Sequence, residues 1–225
     1  MTNDKQQKRP RAKRIKIGAI VEIPLTESPV TPGFAYVQYF YKAEYSGHCI
    51  RLFKGIYQER PDNLVALANQ IEQLITFYPI TNSIAYGFCE VVGWAPVPKR
   101  LQKLPLFKML SSPVLGSPNP SPYKWELMNA ETGKFWRVGG KTDDYQKVRV
   151  ILPEEYHHLP TWAIVPHWGL LDRIELGWTN ESILAEDFWE VRKRLPRVQG
   201  YLKMRAEERA AKEAAKAARK KKATK

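Results

Sequence analysis

Ile15-Lys16-Ile17-Gly18-Ala19-Ile20-Val21-Glu22-Ile23 alternates in polarity and is dense in β-branched side chains, the pattern of a half-buried strand. Pro24 to Gly33 follows with three prolines and a glycine, the composition of a loop. Phe34-Ala35-Tyr36-Val37-Gln38-Tyr39-Phe40-Tyr41 reads as the next strand, aromatic enough to sit on a sheet face. Ser46-Gly47 turns the chain, and His48 to Phe53 returns as a third strand. Three consecutive strands with short connections predict an antiparallel meander, the start of a strongly bent sheet or a small barrel.

Beyond the meander the apolar spacing changes. Asp62 or Asn63 can cap a helix after Pro61, and Leu64, Leu67, Ala68, Ile71, Leu74 and Ile75 recur at helical spacing. Ile84 to Trp94 reads as strand again. Pro96 to Tyr123 contains seven prolines and reads as a long loop held by Leu101, Leu104, Leu106, Phe107 and Leu110. Trp125–Met128 and Phe135–Val138 flank Asn129-Ala130-Glu131-Thr132-Gly133-Lys134, a hairpin signature. Val148 to Leu152 reads as a short strand. A helix is expected to start near Pro166, and another to follow Asn180, carrying Ile183, Leu184, Phe188, Val191 and Leu195 before Pro196.

The expected fold is therefore α+β: an antiparallel, strongly bent sheet or small barrel with two or three packed helices. One domain is expected over residues 15–195, between a basic N-terminal arm (1–14) and a basic Ala/Lys-rich helical tail (196–225).

Charge separates these parts. Residues 1–17 carry +6 and residues 192–225 carry +11 of a total of +13, which leaves the intervening body at −4. The body is rich in Trp, Tyr, Phe, Val and Ile and can bury a core, whereas the arms have almost no apolar side chains to bury. Tyr201 to Ala218 consists almost wholly of strong helix formers, with Glu208 and Lys212 paired at i, i+4. Lys8, Arg9, Arg11, Lys13 and Arg14, with Arg219, Lys220, Lys221 and Lys222, are candidates for nonspecific phosphate contact.

Motifs for catalysis are missing from the sequence: no GxSxG, HExxH, P-loop or GxGxxG occurs. Gly139-Gly140-Lys141-Thr142 resembles the end of a phosphate loop but lacks the upstream glycine and a following helix, and is read as a turn. His157, His158 and His167 lack Cys or carboxylate partners at ligand spacing, so no metal site or cofactor is expected. Asp143-Asp144 and Glu154-Glu155 are read as solvated pairs, or as favourable to a helix N-terminus, rather than as general acids. Cys49 and Cys89 sit in apolar stretches and are expected to be buried free thiols. No apolar run suits a secretory signal or a bilayer span, so a cytoplasmic chain with no membrane partner is expected. Trp94, Trp125, Trp136, Trp162, Trp168, Trp178 and Trp189 mostly lack flanking Lys or Arg and are read as core rather than base-stacking platforms.

Lys16-Ile17-Gly18-Ala19-Ile20-Val21-Glu22-Ile23-Pro24-Leu25, with Ala35-Tyr36-Val37-Gln38-Tyr39 on the next strand, resembles the start of the immunity protein 26 family of bacterial polymorphic toxin systems. Phe53, Gly93-Trp94, Pro105-Leu106-Phe107 and Asp172-Arg173-Ile174 extend the likeness over roughly residues 15–178. The chain departs from the family pattern at Ala19, where an acidic residue is usual, and in its basic arms. The resemblance implies a non-enzymatic protein that binds and neutralises a cognate toxin inside the cell, with no motif that fixes the contact residues. The competing expectation is a nucleic-acid-associated accessory protein held to DNA or RNA by its arms.

Overall fold

The computed structural model describes residues 14–25, 32–44, 46–111, 121–182 and, further on, 199, 200, 203, 206, 207 and 210. The chain divides into two units, residues 1–25 with 33–183, and residues 26–32 with 184–225. In the second unit, Gln199, Gly200, Lys203, Ala206, Glu207 and Ala210 are helical. The helix expected after Asn180 lies outside the described residues.

The first unit is α+β. Its described residues form β1 (Ala19–Pro24), β2 (Phe34–Ala43), β3 (Gly47–Phe53), α1 (Leu64–Ala68), β4 (Glu72–Phe77), α2 (Ile80–Ala85), β5 (Glu90–Trp94), β6 (Leu106–Ser111), β7 (Tyr123–Asn129), β8 (Lys134–Thr142) and α3 (His167–Glu175). β1 to β5 make one antiparallel sheet in the order β4-β3-β2-β1-β5, and β6 to β8 make a second in sequence order. The opening antiparallel meander is as expected, but the strand read from Ile15 begins only at Ala19, after a turn at Ile17 and Gly18, and runs into Pro24. Of the loop expected over Pro24–Gly33, residues 26–31 lie outside the described residues. β1 is buried almost throughout because both faces of its sheet are covered. Val21, Ile23, Val37, Ile50, Leu52 and Leu74 meet Ile80 and the Leu170, Leu171 and Ile174 stripe of α3 on one face. Ile20, Tyr36 and Phe53 meet Leu67 and Ala68 of α1 on the other. The second sheet joins through Phe77 and Phe107, whose rings lie 5.0 Å apart, together with Phe40, Cys49 and Met128.

The sheets do not close into a barrel. Residues 160–165 bridge them: Phe77 N donates to Ala163 O and Val165 N to Phe77 O on the outer edge of β4, while Lys108 N donates to Pro160 O and Trp162 N to Lys108 O on β6. Asn180 completes the cover of β4, its Oδ1 accepting from Ile75 N at 2.7 Å. β5 and β8 remain as the terminal strands of the assembly.

Several local readings are corrected. The stripe from Leu64 to Ile75 is not one helix. α1, capped by Asn63 Oδ1 on Ala66 N, ends at Ala68, and β4 begins at Glu72. The buried Arg51 guanidinium takes Ala68 O and Gln70 O, carbonyls that a continuing helix would need for its next turn. Ile84 lies in α2, so the strand expected from there starts only at Glu90. The proline-rich stretch contains β6, since Phe107 and Met109 alternate against β7 between the prolines. Val148 to Leu152 is a tight turn and not a strand, with Ile151 N and Leu152 N bonded back to Lys147 O and Arg149 O.

The hairpin from β7 to β8 is as read: Asn129 Oδ1 accepts from Glu131 N and Thr132 N, and Gly133 N donates to Asn129 O. Gly139-Gly140-Lys141-Thr142 is part of β8 rather than a turn. The register slips between Lys124 and Trp125, and Gly139, with φ of 67°, forms a bulge against the 148–152 turn. A Cβ there would lie 2.0 Å from Ile151 O, so only glycine fits.

Candidate interaction site

Four aromatic rings gather where α2 ends and α3 begins. Tyr86 closes α2, and Gly87 (φ 76°) reverses the chain: its N–H donates to Ile84 O and that of Phe88 to Ser83 O, the paired bonds of a Schellman cap. This cap places the Phe88 ring on His167, the first residue of α3, with centroids 4.8 Å apart and planes within 14°. Trp168 stands 5.6 Å from His167 and 6.3 Å from Phe88, and Tyr86 lies 6.0 Å from Phe88. Beneath them, the buried Tyr78 hydroxyl shares a 2.8 Å hydrogen bond with His167 Nδ1. Burial pushes the Tyr78 phenol well above its ordinary range, so it remains neutral.

Phe88, Trp168 and Tyr86 are 39 %, 44 % and 55 % exposed, although each is fixed on a helix end or a capped turn. Rigid aromatic faces in water are the composition of an interface anchor. The expectation that the tryptophans are core is thus overturned in part. Trp125 is buried, donating Nε1 to Val148 O at 2.6 Å, whereas Trp94 is 58 % and Trp136 44 % exposed. Trp94 rests its indole on Gly18 and donates to Ile17 O at 2.7 Å, which ties it to the turn before β1 without covering it. Trp162 and Trp178 are half-buried, and Trp189 lies outside the described residues.

Of the phosphate-contact candidates, Arg14 alone falls among the described residues, where it is exposed. Lys8, Arg9, Arg11, Lys13, Arg219, Lys220, Lys221 and Lys222 lie outside them. The histidines are engaged separately: His157 Nε2 with Leu152 O, and His167 with Tyr78 and Phe88. Among the described residues no group of three His, Cys, Asp or Glu is placed to hold a metal ion. Cys49 and Cys89 are buried and unpaired, and burial raises both thiols, Cys89 to about 11. That is opposite to the lowered pKa of a nucleophilic cysteine. Among the described residues no helix is long and apolar enough to cross a membrane.

Several buried charged groups escaped the sequence reading, among them Arg51, Glu22 and Lys108. Arg51 joins β3 to Gln38 and to the end of α1. Glu22 is held by Arg60, at 2.9 and 3.0 Å, and by the Tyr36 hydroxyl at 2.6 Å. The Arg60 hydrogen bonds, aided by Tyr36, keep its carboxyl below the usual range against its burial. Lys108 donates Nζ to His157 O and Asn180 O, and burial lowers its ammonium to about 8, with Arg149 adding to the fall and Glu181 opposing it. The available signal was a charged residue at an inward position of an alternating strand, as in Leu106-Phe107-Lys108-Met109-Leu110. A broad groove of about 1040 Å³ also opens between Leu52–Ile56, Gln70–Gln73 and Ile174–Glu181.

Comparison with protein-family models, with curated proteins and with solved structures finds no match to this chain. The likeness to the immunity protein 26 family rests on the short sequence pieces alone.

Proposed function

We propose that this protein is a non-enzymatic binder that neutralises a cognate bacterial toxin in the cytoplasm, with Tyr86, Phe88 and Trp168 as its anchors. The observation that carries the reading is the exposure of three large rings on rigid helix ends, where a monomeric protein gains nothing from keeping them in water. The cluster is built before binding: the Gly87 cap sets Phe88, and the Tyr78 hydroxyl fixes the His167 ring behind it. Preformed aromatic anchors lose little side-chain entropy on association. The neutral, buried thiols suit a protein that acts by contact, and the sequence likeness at Lys16–Leu25 and Ala35–Tyr39 supplies the partner class.

Co-expression with a toxin encoded beside this gene tests the reading. The wild type is expected to restore growth, and Phe88→Ala with Trp168→Ala to lose the rescue while still unfolding cooperatively as a folded protein. Each anchor is expected to contribute about 30-fold or more in affinity. Failure of the wild type to rescue removes the toxin reading. Full rescue by the folded double variant removes the aromatic site from it.

A further inference from the structure

The outer strand of the second sheet has a composition unlike the rest of the body. β8 presents Phe135 at 61 % exposure, and on either side of it Lys134 and Arg137, with Lys141 beyond the Gly139 bulge, all exposed. None of these three cations makes an ion pair or a side-chain hydrogen bond among the described residues, although ten other charged groups of the first unit are ion-paired. Between Tyr123 and Val150 there are six Lys or Arg and four Asp or Glu, in a body that is otherwise acidic. Glu126, the carboxylate directly across from Arg137, gives its oxygens to Ser111 and Lys124. Asp144 is paired with Lys147, and Glu131 accepts from Leu104 N. The acids of this sheet are thus largely committed while the β8 cations are not.

Register places Phe135, Arg137 and Lys141 on one face, opposite Met128, Glu126 and Lys124 of β7. An aromatic ring followed along the strand by two unpaired cations offers a stacking surface and two phosphate partners in one line. We infer that this face of β8 binds single-stranded nucleic acid, with a base stacked on Phe135 and adjacent phosphates at Arg137 and Lys141. Acidic side chains alone would satisfy the cations but would not cover the Phe135 ring, whereas a single strand of nucleic acid supplies base faces and phosphates along one line. The site is separate from the ring cluster of Tyr86, Phe88 and Trp168. It places a nucleic-acid contact on the folded body, where the sequence reading placed it on the arms only.

The test is fluorescence anisotropy of a labelled 20-nucleotide mixed-sequence DNA strand with the full-length protein, from low to moderate salt. Phe135→Ala is expected to weaken binding about fivefold or more, the lower end of the effect of removing a base-stacking ring. Arg137→Gln with Lys141→Gln is expected to flatten the dependence of log affinity on log salt by about 1.4, at roughly 0.7 per phosphate contact. These side chains are exposed, so unchanged thermal midpoints show that the variants fold. Lys220→Gln with Lys221→Gln separates the tail from the sheet: it is expected to lower affinity without altering the Phe135 effect. No binding by the wild type overturns the inference, as does wild-type affinity in Phe135→Ala. Competition by polyglutamate equal to that by unlabelled strand also overturns it, because the face would then read charge alone.

Discussion

The Arg51 guanidinium donates twice to one oxygen of Gln38, from Nε at 2.9 Å and from Nη2 at 2.6 Å, and both side chains are completely buried. Gln38 in turn donates Nε2 to Ala95 O at 2.8 Å and to Gly18 O at 3.3 Å, while Arg51 reaches Ala68 O, Gln70 O and Glu72 and lies over the Phe53 ring. Two polar residues on neighbouring strands therefore fasten the approach to β1, the end of β5 and the end of α1 to the middle of the sheet. Removing one member leaves several buried acceptors without a donor.

Arg51→Met is accordingly expected to cost about 3–5 kcal/mol, the usual penalty for breaking a buried charged network. Urea unfolding of the variant measures it, and α1 should lose amide-exchange protection first. A change under about 1 kcal/mol would mean that Gln38 and the carbonyls find other partners.

The tryptophans divide by position. Trp125→Ala, removing a buried ring and its bond to Val148 O, is expected to cost about 3–5 kcal/mol. Trp168→Ala and Trp94→Ala are expected to cost about 1 kcal/mol or less, since nearly half or more of each residue is in water. Thermal midpoints of the three variants, compared side by side, check this order. Equal losses would return all three rings to the core.

Lys108 makes stability depend on alkaline pH. Its folded pKa of about 8 lies below the ordinary 10.5, so between those values the unfolded chain binds the extra proton and stability rises with pH. The stabilising contribution is complete above about 10.5 and is lost as pH falls through about 8. Measured as wild type minus Lys108→Met, which cancels the other titrating groups, the gain is expected to reach about 3 kcal/mol across the window. Urea midpoints at intervals from pH 7 to 10 provide the measurement. A flat difference would show that His157 O and Asn180 O hold the ammonium charged throughout.

The opening meander and the β7–β8 hairpin were legible because their determinants are local. The β-branched run from Ala19 to Ile23, the aromatic run from Phe34 to Tyr41 and the Asn129–Gly133 turn each specify their own backbone. The start of α3 was legible for the same reason, since Pro166 fixes the φ that a helix N-terminus needs. The errors came where a distant group decides. Leu64 to Ile75 has helical spacing, yet Arg51, from another strand, claims the carbonyls at its middle and β3 recruits its second half. β6 was hidden among prolines because its pairing partner begins some residues later, at Tyr123.

The aromatic site was half visible. Tyr86, Phe88, His167 and Trp168 are in the sequence, but apolar residues at helix ends look alike whether covered or bare. Composition and backbone preference act within a few residues, and so the amino-acid order alone settles an α+β chain with a near-neutral, aromatic-rich body, strongly basic ends and the local turns that fold its hairpins. That the sheets stay open, which charges are buried, and that Trp168 faces water while Trp125 does not are settled by long-range packing. Those outcomes depend on how chain segments separated by tens of residues exclude water from one another.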